Sequence, residues 1–418
     1  MSSETGKKNA KTHGVNGPKR WVEQRWLLDN VIRSVGIDWD QMRTATCSSP
    51  CGPESNADFA ALRTRIQKLD DFSPAFESTA RRREALARAH EAQGENVSAR
   101  NNYFMAAIHW GAAQWPIDRN DDTNLFYNQR KRECYTNFAK LADRKVEPAW
   151  IPFQGKALPG WLHLPPDYRG GRIPAVVSVP GMDGFKETSV WLAGDRWLSR
   201  GIAVLALEGP GQYESSILGF DVGMDNWIEA GHAALEWMRA RPEIDAERIA
   251  LSGSSFGSFF GTIAVANEPR FFACAVANTC LEPGCRTIFE EASPTFKKRF
   301  MYMSGYSDED AFDEFCKTLT WEGHVDRLRV PYLCLSGEAD ELSPIVHVER
   351  FMRQVPSPKR LVVYKDSRHG IGNVPSANLG PWPAGLVADW MQARFAGKPF
   401  PSERWYVDAS GGVTRTPY

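Results

Sequence analysis

The residues best able to do chemistry in this chain lie in the stretch Gly253-Ser-Ser-Phe-Gly257. It fits the pattern G-x-S-x-G, in which a serine lies on a strained turn between a strand and a helix, with its hydroxyl exposed at the carboxyl end of a sheet. A Cβ at either flanking glycine would clash with the neighbouring backbone of such a turn. The stretch therefore predicts Ser255 as a nucleophile, although the same pattern also occurs in glycine-serine loops without a function.

A serine nucleophile needs a base that takes its proton and an acid that orients the base. Downstream of Ser255, Asp340 and His369 each follow a predicted strand, in short glycine-containing loops. Because parallel strands end at the same edge of a sheet, these loops are expected to lie beside the serine. We therefore predict Ser255, Asp340 and His369 as the catalytic residues.

Three neighbouring residues bear on that choice. Glu338 could be the acid in place of Asp340. Asp366 is close to His369 in the sequence, but it is expected to point into the turn. His347 lies inside a predicted helix, which favours a position on the surface.

Two backbone N–H groups must face the negative charge that develops on the attacked oxygen. The first is expected from Phe256, the residue after the nucleophile. The second is expected from Met182 or Asp183, in the loop Pro180-Gly-Met-Asp-Gly-Phe-Lys-Glu187 that follows a predicted strand. The stretch 208–214 follows the next strand and is predicted to be a tight turn that shapes the same site.

Strands and helices alternate from residue 146 onward, and these elements must position the predicted site. The pattern predicts a strand pair at 150–153 and 158–164, then strands at 175–179, 203–207, 248–252, 273–278, 331–335 and 361–364, with helices at 187–200, 224–241, 256–267, 345–354 and 383–395. Repeated βα units indicate a mostly parallel, doubly wound sheet covered on both faces. The predicted fold class is α/β, with a catalytic domain at residues 146–397 and a helical insertion at 281–329.

The preceding segment, residues 20–145, has helical periodicity and almost no strand signal, so it is predicted to be a helical domain. One of its helices, 96–115, carries His109, Trp110 and Trp115. These three are candidates for a substrate pocket under a helical cap, and the alternative is that they are core residues of a small bundle. Residues 1–19 are predicted to be a disordered tail and residues 398–418 a C-terminal tail.

Composition narrows the classes of function. The formal net charge is −1, so no overall field attracts nucleic acid. No apolar run is long enough for a membrane span, and the N-terminus has no apolar core of a signal peptide. The eight cysteines are scattered without metal-ligand spacing, which favours free thiols in the cytoplasm. We expect a small-molecule substrate, no metal and no cofactor.

From about residue 146 to residue 395 the chain resembles the α/β-hydrolase superfamily. The loop 180–187, the stretch Glu208-Gly-Pro-Gly-Gln212 and the motif 253–257, together with a helical N-terminal domain, resemble one branch of it. That branch holds the 2,6-dihydroxypseudooxynicotine hydrolase, fungal polyketide-shortening hydrolases and esterases akin to the fermentation-respiration switch protein. The sequence departs from the branch at Gly184, where a serine or threonine is common, and at Ser258, where a further glycine is common.

The resemblance implies a helical cap over the site and a homodimer. Members of the branch that cleave carbon–carbon bonds use an extra acid near the leaving group, and Glu282 is the candidate by position, with a loop residue or helix cap as the alternative. The resemblance favours hydrolysis of an aryl or polyketide-like ketone at a carbon–carbon bond. The alternatives are a carboxylesterase or amidase, a peptidase, and a non-catalytic binding protein on a hydrolase scaffold.

Overall fold

The computed structural model describes residues 18–418, so the predicted N-terminal tail lies, up to residue 17, outside the described residues. Within the described residues, six α-helices precede the sheet: α1 Lys19–Val35, α2 Arg43–Cys51, α3 Asn56–Arg65, α4 Phe72–Ala92, α5 Asn96–Ala113 and α6 Asp122–Leu141. Helix α5 is buried on nearly all sides, because its small residues let other elements approach closely. A Cβ at Gly111 would lie 2.4 Å from the ring of Phe185, which belongs to the loop that follows the third strand.

Ten strands form one sheet: β1 Val146–Phe153, β2 Lys156–His163, β3 Ile173–Val179, β4 Ala203–Leu207, β5 Ile244–Ser255, β6 Cys274–Thr279, β7 Tyr332–Gly337, β8 Lys359–Tyr364, β9 Glu403–Val407 and β10 Val413–Pro417. Their order in the sheet is β1-β2-β4-β3-β5-β6-β7-β8-β9-β10. Pairing is parallel from β4 to β9 and antiparallel at both ends of the sheet. The predicted α/β class with a mostly parallel sheet is confirmed.

The helices that follow the sheet strands are α7 Tyr213–Ile217, α8 Met224–Arg239, α9 Phe256–Asn267, α10 Pro294–Ser304, α11 Glu309–Cys316, α12 Ile345–Gln354, α13 Pro375–Leu379 and α14 Pro383–Phe395. Helices α10 and α11, with a π-helical turn at Thr287–Glu291, lie between β6 and β7, within the predicted insertion. None of the helices within residues 18–418 combines the length and apolarity that crossing a membrane requires.

Two sequence predictions differ from the structure. The helix predicted at 187–200 is wrong, since only short turns form there. A loop is favoured because Gly194 has φ +67° and because the Asp195 carboxylate accepts hydrogen bonds from the N–H groups of Trp191 and Trp197. The predicted tail at 398–418 contains β9 and β10. These strands join the sheet because alternate side chains of β9 are buried against it.

The helical layer meets the sheet domain at a buried charge cluster. It consists of Lys131 on α6, Lys186 and Glu187 after β3, Glu208 after β4, and Glu214 on α7. Each of the five residues is at most 2% exposed. Three carboxylates thus surround two ammonium groups at the junction, beside the loop that leads to the candidate site.

Candidate active site

The connection from β5 to α9 forms the sharp turn that the motif predicts. Ser255 has φ 56° and ψ −126°, a strained conformation for a residue with a side chain. A Cβ at Gly253 would lie 2.1 Å from the carbonyl oxygen of Gly257, and one at Gly257 would lie 2.3 Å from that of Val179. Both flanks of the turn therefore require glycine, as expected from the sequence.

Ser255, His369 and Asp340 lie in a hydrogen-bonded row at the carboxyl ends of β5, β8 and β7. The Nε2 atom of His369 lies 3.0 Å from the Ser255 Oγ, and its Nδ1 atom lies 3.0 Å from an Asp340 oxygen. The N–H groups of Leu342 and Ser343 donate to the other Asp340 oxygen at 2.9 Å, which fixes the carboxylate. This is the geometry in which an imidazole can remove the proton of a serine hydroxyl.

Two opposing effects set the charge state of His369. The imidazole is almost fully buried, and burial acts to lower its pKa. The negative charge of Asp340 and the hydrogen bond to it outweigh this, with a smaller contribution from Glu341, so the pKa of His369 lies above its ordinary value of 6.5. The histidine is thereby tuned toward a stronger base.

The alternatives to Asp340 and His369 lie elsewhere. Glu338 is exposed, and its carboxylate accepts from the Tyr406 hydroxyl at 3.0 Å. Asp366 is exposed in a turn with φ +58°. The His347 Nε2 lies 3.6 Å from a Glu282 oxygen.

The loop that could complete an oxyanion hole is held beside the serine. The Gln212 side-chain amide donates to the carbonyl oxygens of Pro180 and Gly181, at 2.7 and 3.0 Å. Met182 and Asp183 follow them and line the same cleft as Ser255. Phe256 is the first residue of α9, where an N–H group has no partner within the helix. The stretch 208–214 thus supports this loop, as expected from the sequence.

The side chain of Asp183 joins this loop to the helical layer. The Trp115 indole donates to one Asp183 oxygen at 2.9 Å, and the Arg43 guanidinium lies 3.6 Å from the other. Burial raises the pKa of Asp183, and the charge of Arg43 opposes that shift. Trp115 therefore contacts the site through Asp183 rather than by lining the cleft.

The cleft in front of Ser255 has a volume of about 410 Å³, within the range of small-molecule sites. The helical layer contributes to its lining through one side of α2 and the two residues before it: Gln41, Met42, Ala45, Thr46, Ser49 and Pro50. The rest of the domain adds, among others, Trp191, Arg196, Asn278, Ile288, Phe296, Leu342, Asn373, Trp382 and Val387. Helix α2 was not predicted, because its Thr- and Ser-rich sequence has no apolar period.

Two of the predicted substrate residues lie inside the helical layer. His109 is fully buried, with its Nε2 3.4 Å from an Asp58 oxygen and its ring near that of Phe59. Trp110 is fully buried and donates to Glu84 at 3.3 Å. Neither lines the cleft, so the core alternative describes them.

Glu282 also lies outside the lining of the cleft. One of its carboxylate oxygens accepts from the Thr287 N–H at 2.8 Å, at the start of the π-helical turn, and the other lies near His347. The carboxylate thus caps a turn, which is the alternative left open for it.

Asn278, which sequence reasoning missed, joins the two loops of the row. Its backbone has φ +49°. Its side-chain Nδ2 donates to the Ser254 Oγ at 3.0 Å, and its side-chain Oδ1 accepts from the Ile371 N–H at 3.3 Å. It therefore ties the serine turn to the histidine loop. Its position at the end of a predicted strand of the same sheet could have indicated that Asn278 lies near the site.

Known proteins resemble the chain in sequence and in structure. The prolyl oligopeptidase family matches residues 220–390, and the X-Pro dipeptidyl-peptidase (S15 family) matches residues 132–290. The α/β hydrolase xenA of Xenoacremonium sinensis is 28% identical over 67% of both chains. The 20-hydroxy-prefusarin hydrolase FUS2 of Gibberella moniliformis is 27% identical over 64% of this chain and 66% of its own. The crystal structure of the 2,6-dihydroxy-pseudo-oxynicotine hydrolase has a TM-score of 0.72 at 25% identity, over 84% of this chain and 96% of that chain.

The chain has the α/β-hydrolase fold, and in sequence and structure it is similar to the branch that includes these fungal hydrolases and the 2,6-dihydroxy-pseudo-oxynicotine hydrolase. The similarity to these named hydrolases supports the hydrolase class that the sequence predicts. The matches span about two thirds or less of the length of the curated relatives, for example 62% of the α/β hydrolase pydG of Acremonium sp.

Proposed function

We propose that this hydrolase works through an acyl-enzyme on Ser255 and cleaves an aryl or polyketide-like ketone at a carbon–carbon bond. The observation that carries the proposal is the row of hydrogen bonds from Ser255 through His369 to Asp340, open to a cleft of about 410 Å³. A serine in this setting is activated by the neighbouring base.

In the first half of the reaction, the Ser255 Oγ attacks the substrate carbonyl carbon while His369 Nε2 takes the hydroxyl proton. The N–H of Phe256 and that of Met182 or Asp183 stabilise the negative charge on the former carbonyl oxygen. The carbon–carbon bond then breaks, its electron pair leaves with the carbon group, and His369 returns the proton to that carbon. An ester of Ser255 remains.

In the second half, water attacks the ester while His369 takes one of the water protons. The bond to the Ser255 Oγ breaks, the serine recovers its proton from His369, and the carboxylic acid leaves. Glu282 is not needed in this scheme, since its carboxylate caps a turn away from the cleft lining.

Two observations support the substrate class. Trp191 and Trp382 line the cleft together with Phe296, which gives it aromatic walls suited to flat or extended apolar substrates. FUS2 is a 20-hydroxy-prefusarin hydrolase, and the structural relative is a hydrolase of 2,6-dihydroxy-pseudo-oxynicotine. We propose a similar class of substrate for this chain.

The deciding experiment compares kcat/KM for an aryl ester and for a 2,6-dihydroxyaryl ketone with the same acyl group. Ser255→Ala is the control for both substrates, and labelling by a fluorophosphonate reports the reactivity of Ser255 directly. We expect turnover of the ketone, labelling of the wild-type protein, and loss of both in Ser255→Ala. Turnover of the ester alone would make the protein a carboxylesterase, and an unlabelled, inactive protein would contradict the proposed chemistry.

A peptidase is the second candidate, because two peptidase families match parts of the chain. The same acyl-enzyme route would cleave an amide, with His369 protonating the nitrogen that leaves. Aminoacyl 4-nitroanilides added to the substrate pair test it. Faster release of nitroaniline than cleavage of ketone or ester would favour this candidate.

We also propose that the protein is a homodimer and acts in the cytoplasm. Val22 and Trp26 lie four residues apart on α1 and are 66% and 68% exposed, so they offer an apolar surface for self-association. Light scattering after size-exclusion chromatography tests whether the protein is a dimer. A monomer in the wild type, or an unchanged dimer in Trp26→Glu, would contradict this role of α1.

A further inference from the structure

One permanently charged cation lines the cleft without a partner for its charge. The described lining contains three ionisable charged side chains, Asp183, Arg196 and His369. Asp183 forms an ion pair with Arg43 and accepts a hydrogen bond from Trp115, and His369 is hydrogen-bonded to Asp340. Within residues 18–418 the Arg196 guanidinium has neither a hydrogen bond nor an ion pair, and its contact is with the ring of Trp197, at 5.3 Å.

The nearest acid in the sequence does not take up this charge. The Asp195 carboxylate accepts from the N–H groups of Trp191, Trp197 and Leu198, at 2.8–3.1 Å, and so holds the loop. Desolvation lowers the pKa of Arg196, and the charge of Asp195 offsets this only in part. The side chain is half-buried, so it keeps access to the cleft.

Other buried arginines near the cleft differ in this respect. Arg43 pairs with Asp40 and lies near Asp183, and Arg299 lies 3.3 Å from an Asp118 oxygen. Despite burial, these acids raise the pKa of both guanidinium groups above the ordinary value. A charge that is partly desolvated in a cleft is stabilised by an opposite charge, so an anionic group of a ligand would supply the partner that Arg196 lacks among the described residues.

We propose that Arg196 binds an anionic oxygen group of the substrate, a carboxylate or an acidic enol or phenol in its ionised form, while Trp191 and Trp382 contact its carbon skeleton. A guanidinium binds such groups through two parallel N–H donors. The inference rests on the proposed function in one respect, namely that this cleft is the substrate site. It adds a requirement for negative charge on the substrate.

The test uses binding rather than turnover, so it is independent of the Ser255 chemistry that the ester and ketone assays report. Calorimetric titration compares 2-naphthoate with the neutral 2-naphthamide, in the wild type, Arg196→Gln and Arg196→Lys. Arg248→Gln is the matched control, because it removes one positive charge that pairs with Asp245 away from the cleft.

We expect the wild type and Arg248→Gln to bind the anion about tenfold more tightly than the amide, as a charge-assisted hydrogen bond would give. Arg196→Gln is expected to reduce the ratio to about threefold or less, and Arg196→Lys to keep part of it. Equal binding of both probes by the wild type would overturn the inference. A preference that survives in Arg196→Gln would also overturn it, since the anion would then bind at His369 or the oxyanion loop.

The variant data remain interpretable if one substitution impairs folding. Arg196→Lys keeps the positive charge and a long aliphatic chain, and thermal unfolding identifies a damaged protein. Phenolate and carboxylate probes of equal size then show which of the two anionic groups the site takes, since Arg196→Gln should weaken the binding of the one it takes more strongly. An effect of Arg196→Gln on neither probe would refute the assignment.

Discussion

The buried charge cluster gives the strongest stability prediction. Lys131 on α6 lies in it fully buried, and its Nζ has no hydrogen-bond partner among the described residues. Two carboxylate oxygens lie close, one of Glu208 at 3.6 Å and one of Glu187 at 3.8 Å. We predict that Lys131→Met destabilises the protein strongly, because it leaves three buried carboxylates with one buried ammonium group and the partly exposed guanidinium of Arg132, which lies 3.2 Å from Glu214.

The distances give the magnitude. At an effective dielectric constant of about 20, each of the two attractions contributes about 4–5 kcal/mol. Burying the ammonium group of Lys131 costs several kcal/mol and offsets much of this. Removal of one member of such a cluster is therefore expected to lower the free energy of unfolding by about 3–5 kcal/mol. With an unfolding entropy of about 2 cal/mol/K per residue over 418 residues, the melting temperature falls by about 3–6 °C.

The assay is denaturant unfolding followed by tryptophan fluorescence, together with a thermal melt. Lys140→Met is the matched control, because Lys140 lies on the same helix but is exposed. Adding Glu187→Gln to Lys131→Met should recover part of the loss, since it removes one of the unmatched carboxylates. A Lys131→Met protein within about 0.5 kcal/mol of Lys140→Met would refute the reasoning, because surface substitutions have effects of that size.

Three further predictions concern the site. Asp340→Asn should lower kcat by about 10³–10⁴-fold and move the acidic limb of the kcat/KM profile to lower pH. The base must be neutral, so activity falls as the pH drops through the pKa of His369, and Asp340 holds that pKa above 6.5. Asn278→Gly should lower kcat about tenfold with little change in stability, whereas Asn278→Ala should also destabilise by about 1 kcal/mol, because only glycine adopts φ +49° freely. Glu282→Ala should destabilise by about 1–2 kcal/mol and leave kcat/KM for an aryl ester within about threefold, because the carboxylate caps a turn.

Each of these has a result that contradicts it. An acidic limb that stays in place in Asp340→Asn would mean that Asp340 does not set the pKa of His369. Equal stability of the two Asn278 variants would exclude the strain argument, and unchanged kcat would exclude a positioning role. Loss of ketone cleavage with intact ester cleavage in Glu282→Ala would restore the proton-donor role for that residue.

The sequence was most informative where structure is local. The elbow at Ser255 follows from two glycines around a serine, and Asp340 and His369 stand in loops directly after strands. Parallel strands end at one edge, so three such loops had to meet there, and the structure brings these residues within hydrogen-bond distance. Their catalytic roles remain predictions. The fold class followed from the same alternation of strands and helices.

The lining of the cleft could not be predicted in this way. The aromatic helix α5 was one candidate wall, yet His109 and Trp110 belong to the core, and the unpredicted helix α2 lines the cleft. An apolar side chain has the same sequence signature whether it packs in a core or faces a substrate.

The sequence by itself thus determined the type of sheet, the strained serine turn and the loops that carry the acid and the base, because each depends on a few adjacent residues. Only the tertiary structure decided that Trp115 reaches Asp183, that Asn278 joins two loops, and that Arg196 lines the cleft without an acidic partner in the part of the chain that the structure describes. The physical reason is that these contacts depend on how segments distant in sequence pack together, so that burial and charge pairing become defined only in the folded chain.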